Sequence, residues 1–236
     1  MGGFLAVANC KGGVSKSTIS VMLAHAFAVW GGKCVLLSFG DIEKDNGDSV
    51  AIDLLPGPLQ FEDMQDELIS HYSPHNTPFR QAKACCAHHF RRALHFAAPL
   101  ADLIVLDRAP GISNATQAAL RLPDQVIVPF RPDSVSEFAV DKISMIMEGK
   151  EPEALASTPH YERHYRCLAN YVRPGGQDQV FIDTIAADRP TLATRIPMSG
   201  NTVNAFFWSR NASPSRKITV PQHSRWLGSI MNCPRI

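Results

Sequence analysis

The residues with the clearest chemical potential lie near the start of the chain, between an apolar run over 4–8 and an amphipathic run that starts at Ile19. The ten residues from Asn9 to Thr18 read NCKGGVSKST, with two lysines, a glycine pair and several hydroxyls. Glycine permits positive φ and close backbone approach, and the free N–H groups at the start of a helix attract anions. This strand–loop–helix context predicts a phosphate-binding loop.

The pattern assigns a role to each residue type in the loop. Lys16 is expected to reach the β- and γ-phosphates of a nucleotide, and the Ser17 hydroxyl is expected to hold Mg²⁺. The other residues of the loop that are predicted to bind the nucleotide are Gly12, Gly13, Val14, Ser15 and Thr18. A structural alternative is a glycine turn that carries two lysines without binding a nucleotide. The common motif G-x-x-x-x-G-K-[ST] is not met, because Cys10 and Ser15 occupy its glycine positions.

Apart from Ser15, the loop matches the variant K-G-G-x-G-K-[ST]-T, in which Lys11 precedes the glycine pair. This resembles the deviant Walker A loop of the ParA/MinD family of ATPases. The resemblance implies that ATP or ADP and Mg²⁺ are the cofactors and that ATP binding produces a homodimer. It also implies that Lys11 crosses the dimer interface to the phosphates of the partner's nucleotide.

A second motif is the run DLIVLD over 102–107, four apolar residues that end in Asp107. A buried strand of this kind would place the carboxylate at the carboxyl edge of a sheet, where the Mg²⁺ of a phosphate-binding loop lies. The next residues, Arg108 to Gly111, resemble the Asp-x-Pro-Pro segment of the same family. Asp107 is therefore expected, with Ser17, to hold the metal; a purely structural carboxylate is the alternative.

Strand-like and helix-like segments alternate along the chain, which predicts one α/β domain over 1–236 with a mostly parallel twisted sheet and helices on both faces. Strands are predicted over 3–9, 33–39, 102–107, 125–130, 166–172 and 194–197. Helices are predicted over 17–30, 61–72, 79–96, 135–147 and 201–208, and the acidic segment 40–60, rich in proline and glycine, is predicted to be a loop.

Two residues near the predicted ends of late strands are further candidates for binding the cofactor. The resemblance places Asn170 where relatives read the adenine ring, although Asn170 could equally form a turn before Pro174. Pro197, in the segment TRIP, resembles the family's late Ile-Pro strand end. A V-x-P strand followed by Pro132 and Asp133 also matches the family, and the resemblance extends to about residue 210.

Hydrolysis is the implied activity that the sequence supports least. Relatives carry Asp-x-Asp after the second strand, whereas this chain has Phe39 in place of the first aspartate and Asp41 as the second. Phe39 can neither orient water nor bind a metal, and Ser15 places a Cβ where glycine is usual. The catalytic residues are therefore predicted to be Lys11, Lys16 and Asp41, with weak turnover of ATP.

Charge is distributed unevenly, although the formal net charge is only +1. The segment 41–67 is acidic, and no Asp or Glu follows Asp188, whereas seven basic residues do: Arg189, Arg195, Arg210, Arg216, Lys217, Arg225 and Arg235. A basic surface of this kind suggests binding to nucleic acid. We predict non-specific DNA binding by Arg210, Arg216, Lys217 and Arg225; ordinary solvated arginines are the alternative.

These features predict a ParA-like, ATP-dependent dimerising switch that segregates or positions DNA or another cargo, with a DNA-bound ParB-like adaptor as partner. The alternative is a nucleotide-binding but hydrolysis-poor accessory protein of plasmid stability or conjugation. No run approaches the roughly 20 apolar residues of a membrane span, and no signal peptide or C-x-x-C pair is found. We therefore expect a cytoplasmic protein without a membrane partner, associated with the nucleoid if DNA binding holds.

Overall fold

Seven parallel strands form one sheet in the computed structural model, which describes residues 3–38, 52–56, 98–108, 111, 120, 123–150 and 164–198. The strands are β1 (Gly3–Val7), β2 (Cys34–Ser38), β3 (Ile52–Pro56), β4 (Leu103–Asp107), β5 (Gln125–Phe130), β6 (His164–Val172) and β7 (Thr191–Pro197). Their order across the sheet is β3-β2-β4-β1-β5-β6-β7, so β1 and β4 lie near its centre.

Helices cover both faces of this sheet. Helix α1 (Lys16–Val29) packs on one face through Ile19 and Leu23, against a cluster that includes Val7 and Val105. Helices α2 (Ser134–Met147) and α3 (Gln179–Asp188) pack on the other face. A short 3-10 helix spans Ala98–Leu100. The predicted α/β class, with a parallel sheet between helices, is confirmed.

The central strands are buried on both faces, which explains their nearly continuous apolar sequences. Every residue of β4 is buried, and so are the last five of β5. The registers bring the carboxyl ends of three strands together, because Val7 and Ser38 both pair with Asp107. Ligands of open α/β sheets bind at this carboxyl edge, so the fold places the loop after β1 in the usual position of a site.

The prediction that 40–60 is a loop is wrong in part, because Ile52–Pro56 forms the edge strand β3, in parallel register with β2. Asp53 and Pro56 weaken the local strand signal, and an edge strand tolerates proline because one of its sides has no partner. Pairing with β2 therefore overrides the local composition.

Helix α3 was not predicted from the sequence. Only Ile182 and Ile185 of this helix are buried, so its apolar face is too narrow to give a clear helical period. The other predicted elements are present with shifts of a few residues at their ends, and 125–130 is matched at both ends. The predicted helices 61–72, 79–96 and 201–208 lie outside the described residues. None of the helices described here is long and apolar enough to cross a membrane.

Candidate nucleotide-binding site

The loop that connects β1 to α1 is anchored to β5 by Asn9. The Asn9 side chain is buried, its Nδ2 donates to the Pro129 carbonyl at 2.7 Å, and its Oδ1 accepts the Lys11 N–H at 2.8 Å. The segment after β4 also returns to this loop, because the Gly111 N–H donates to the Cys10 carbonyl at 3.2 Å. The start of the loop is therefore tied to the ends of two neighbouring strands.

The glycine pair leaves open space above the loop backbone. A Cβ placed on Gly12 or Gly13 would meet no atom within 4 Å, and Gly13 has a φ of +70°. Glycine is suited to that φ, and a bare backbone lets an anion approach the N–H groups closely. The geometry of this part of the loop is compatible with a phosphate cradle.

Lys16 lies inside the loop rather than in solvent. Its side chain is buried, and Nζ donates to the Lys11 carbonyl at 2.8 Å. Burial lowers the pKa of Lys16, and the nearby Asp107 carboxylate offsets part of that effect. A buried ammonium group that is bound to a carbonyl gains stabilisation when a phosphate enters, because an anion is the stronger partner for it.

Asp107 is buried at the carboxyl end of β4, where α1 reaches it. Ser20 donates from Oγ to Asp107 Oδ1 at 3.2 Å, and Ser17 lies three residues earlier on α1, one turn closer to the loop. Residues three apart on a helix lie near one helix face, so Ser17 is near the face of α1 from which Ser20 contacts Asp107. Hydroxyl and carboxylate oxygens are ligands that suit Mg²⁺, and these two residues fit the predicted metal.

Arg108, the residue after Asp107, is also buried and was not singled out in the sequence. Burial lowers the pKa of Arg108 to about 9, and the neighbouring Asp107 carboxylate opposes that shift. Arg108 occupies the variable position of the Asp-x-Pro-Pro segment, where the sequence pattern carries no chemical information. The electrostatic environment of Asp107 therefore includes two buried cations, Lys16 and Arg108.

Lys11 is bound to its own chain. Its Nζ lies 2.8 Å from both carboxylate oxygens of Asp133 and donates to Ser136 Oγ at 3.1 Å. Asp133 is the N-cap of α2 and also accepts the Ser136 N–H at 2.7 Å. Burial raises the pKa of Asp133, but the hydrogen bonds from Lys11 and Ser136 outweigh it and hold that pKa below its ordinary value.

The far side of the loop contacts the carboxyl ends of β6 and β7. Asn170 is buried within β6, where its Nδ2 donates to the Val14 carbonyl at 3.0 Å, and Ser15 Oγ donates to the Tyr171 hydroxyl at 2.7 Å. A small pocket at this point is lined by Ser15, Thr18, Ile19, Met22, Asn170, Tyr171, Ile196 and Pro197. Asn170 lies in a strand beside the loop rather than in the turn before α3, so the turn alternative does not describe its position.

The structure therefore brings together the predicted residues of the loop with Asp107, Asn170 and Pro197. Their roles as nucleotide or metal ligands stay predictions. Asp41, Phe39 and the DNA-binding candidates lie outside the described residues. Sequence reasoning placed Asp133 only in a turn and missed Tyr171, because both contact the loop across more than 120 residues of chain.

The double role of Asp133 leads to a prediction about stability. Asp133→Ala removes the N-cap and the charge beside Lys11, so we expect the free energy of unfolding to fall by about 1–2 kcal/mol. Asp133→Asn retains a good N-cap and should cost less, because the lost ion pair is 40% exposed at the aspartate. Urea unfolding at pH 7 measures both effects.

The pH dependence provides the control. The pKa of Asp133 is lower in the folded than in the unfolded chain, so its stabilisation is present above about pH 4 and is lost as the pH falls through the folded pKa. The stabilities of the wild-type and Asp133→Asn proteins should therefore converge as the pH falls below the folded pKa of Asp133. Equal losses in the Ala and Asn variants at pH 7, without convergence in acid, would contradict the assigned role.

Comparison with known proteins yields structural neighbours only. The sequence matches no family model and no curated protein. A putative plasmid partition protein from Borrelia burgdorferi bound to AMPPNP has a TM-score of 0.68 and 13% identity, with 98% of this chain and 97% of that chain covered. Cobyrinic acid a,c-diamide synthase from Mycobacterium smegmatis with bound ADP and magnesium has a TM-score of 0.67 and 17% identity, with 94% and 100% covered.

A third neighbour is the ATP complex of a single-residue variant of McdA from Cyanothece. Its TM-score is 0.66 at 14% identity, and the match covers 88% of each chain. Identities this low establish the architecture and leave the activity to be argued from the site. The chain has the fold of the ParA/MinD-type P-loop ATPases, which confirms at the level of fold the resemblance carried by the loop around Lys11 and Lys16.

Proposed function

We propose that this protein is a ParA-like switch in which ATP binding joins two copies of the chain, so that DNA or another cargo is segregated or positioned. The observation that carries the proposal is the different placement of the two loop lysines. Lys16 is buried inside the loop, whereas Lys11 is held at its rim by Asp133. Lys16 would therefore bind the chain's own nucleotide, whereas Lys11 would exchange Asp133 for another anion.

Different residues of the site would contact the phosphates, the Mg²⁺ ion and the base of a nucleotide. Lys16 and the loop N–H groups would neutralise the phosphates of ATP, and Ser17 and Asp107 would hold Mg²⁺, which supplies further positive charge at the phosphates. Asn170 and Pro197 line the pocket beside Thr18, which is an appropriate place for the base. Two of the three neighbours compared above were solved with ATP or ADP, and the third was solved with AMPPNP.

The Lys11–Asp133 pair supplies an electrostatic basis for the switch. In one subunit the pair is partly exposed, with side-chain exposures of 23% and 40%, so breaking it costs little. A partner's ATP would present several negative charges at the interface and would compete with one carboxylate for Lys11. Transfer of Lys11 from Asp133 to those phosphates would make dimer formation depend on bound ATP.

Hydrolysis is the weaker part of the proposed activity. Lys11 and Lys16 would stabilise the charge that develops on the transferred phosphoryl group. Since Phe39 replaces the first aspartate of the Asp-x-Asp pair, orientation of the attacking water falls to Asp41. We therefore propose slow turnover, with ATP acting mainly as the ligand that joins the subunits.

Substituting Lys16 and Lys11 one at a time tests nucleotide binding and dimer formation independently. Lys16→Ala should weaken ATP binding at least about tenfold, because it removes a charged hydrogen-bond donor from the phosphates. Lys11→Ala should retain ATP binding by the monomer but lose ATP-dependent dimers. Calorimetry measures the binding, and light scattering coupled to gel filtration measures the mass of the complex.

Two further variants sharpen this test. Lys150→Ala removes an exposed lysine that pairs with Glu148 away from the loop, and it should change neither property. Asp133→Asn should favour the ATP-bound dimer, because it releases Lys11. Undiminished ATP binding by Lys16→Ala would overturn the site, and ATP-dependent dimers of Lys11→Ala would overturn the switch.

Non-specific DNA is the proposed partner of the basic C-terminal segment, and a DNA-bound ParB-like adaptor is the proposed regulator. Alanine at Arg210, Arg216, Lys217 and Arg225 should lower the affinity of the ATP-bound protein for DNA and flatten its dependence on salt, because fewer phosphate counterions are released. Fluorescence anisotropy with unrelated duplexes, between low and physiological salt, measures both quantities.

A control for total charge is available elsewhere in the chain. Lys33→Ala combined with Lys150→Ala removes two exposed lysines outside the basic segment and should leave the salt dependence nearly unchanged. DNA affinity that does not respond to salt, or that is the same with and without ATP, would contradict this assignment.

A further inference from the structure

The last loop position before Lys16 is a serine in a backbone conformation that suits glycine. Ser15 has φ +64° and ψ +36°, which is left-handed. Among the described residues, Ser15 and Tyr171 are the two non-glycine residues with positive φ. Left-handed conformations are unfavourable for residues with a Cβ and persist where the surroundings hold them.

Ser15 and Tyr171 contact each other through their side chains. Ser15 Oγ donates to the Tyr171 hydroxyl at 2.7 Å, across 156 residues of chain. The Tyr171 ring also contacts Arg131, whose guanidinium lies 4.8 Å from the ring centre and can make a cation–π contact. Tyr171 therefore has two side-chain partners, Ser15 and Arg131.

The neighbouring residue strengthens the same attachment. Asn170 donates to the Val14 carbonyl at 3.0 Å and accepts the Tyr171 N–H at 2.9 Å. Two consecutive residues of β6 thus bind two consecutive residues of the loop, and the second contact uses the serine hydroxyl that a glycine lacks. The contact compensates for a departure from the usual loop sequence.

We propose that Tyr171 is a positioning residue for nucleotide binding, which holds Ser15 in its left-handed conformation so that the loop N–H groups and Lys16 converge on the phosphates. Without Tyr171, the Ser15 hydroxyl can bond to nearby backbone groups, and the loop gains conformations that bind phosphate poorly. This inference rests on the proposed function, because it concerns ATP binding by the same loop.

A double-mutant cycle tests the inference, with ATP affinity of the full chain measured by calorimetry in the presence of Mg²⁺. Tyr171→Phe retains the ring and removes the hydroxyl, and it should weaken ATP binding about fivefold. Ser15→Ala should have a similar effect, and the two substitutions together should weaken binding no more than either alone. In a Ser15→Gly background, Tyr171→Phe should change the affinity less than about twofold, because glycine needs no support.

A matched control lies on the same strand. The Tyr165 hydroxyl donates to Glu148 Oε1 at 2.7 Å near the opposite end of β6. Tyr165→Phe makes the same chemical change far from the loop, so it should leave ATP affinity at the wild-type value. Urea unfolding of every variant identifies any that fail to fold. If Tyr171→Phe lowers the stability of the protein, its effect on ATP affinity is still tested by comparing Ser15→Gly with and without Tyr171→Phe.

A purely structural tyrosine would behave differently, because its loss would weaken ATP binding equally with serine or glycine at position 15. That result, or wild-type affinity in Tyr171→Phe, would overturn the inference and leave the proposed function intact. A wild-type protein that does not bind ATP would overturn both. Recovery of affinity in the glycine background is the result that supports the assigned role.

Discussion

The loop between β1 and α1 depends on side-chain contacts from three surrounding elements. Asn9 ties its start to the end of β5, Lys11 ties its middle to the N-terminus of α2, and Asn170 ties its end to β6. A loop with two adjacent glycines has many accessible conformations when it is free. These contacts reduce that freedom before any ligand arrives, which lowers the entropic cost of binding.

The two lysines of the loop, Lys11 and Lys16, differ in the groups to which they are bonded, and this difference underlies the proposed switch. Lys16 is buried and donates to a neutral backbone carbonyl, with the Asp107 carboxylate nearby. Lys11 is bonded directly to an anionic group, the carboxylate of Asp133. An entering polyanion therefore satisfies Lys16 within one subunit, whereas Lys11 changes partners only if a second set of phosphates comes close. The same carboxylate caps α2, so the helix start and the loop are linked.

Much of the fold could be predicted from the sequence, because the central strands are short, nearly continuous apolar runs. The runs that became β1, β4 and β5 are buried on both sides, so local composition and tertiary environment agree. Strand β3 could not be predicted, since pairing with β2 outweighs Asp53 and Pro56. Helix α3 was missed because it buries only two isoleucines.

The candidate site, like the fold, has parts that the sequence predicts and parts that it does not. The phosphate loop and Asp107 have local signatures, whereas the contacts of Lys11 with Asp133 and of Ser15 with Tyr171 join distant segments that no local pattern connects. The sequence alone indicates only that the Cβ of Ser15 is unfavourable for the loop geometry. In the structure its hydroxyl has a specific partner, so the departure from glycine comes with a compensating contact.

The partner of Lys11 in the nucleotide-bound state is the most direct test of the account. A crystal structure of the full chain with a non-hydrolysable ATP analogue and Mg²⁺ would reveal that partner. We expect a dimer in which Lys11 Nζ has left Asp133 and lies within hydrogen-bond distance of the phosphates bound by the other subunit. Lys11 still bound to its own Asp133, in a subunit whose loop contains the nucleotide, would contradict it.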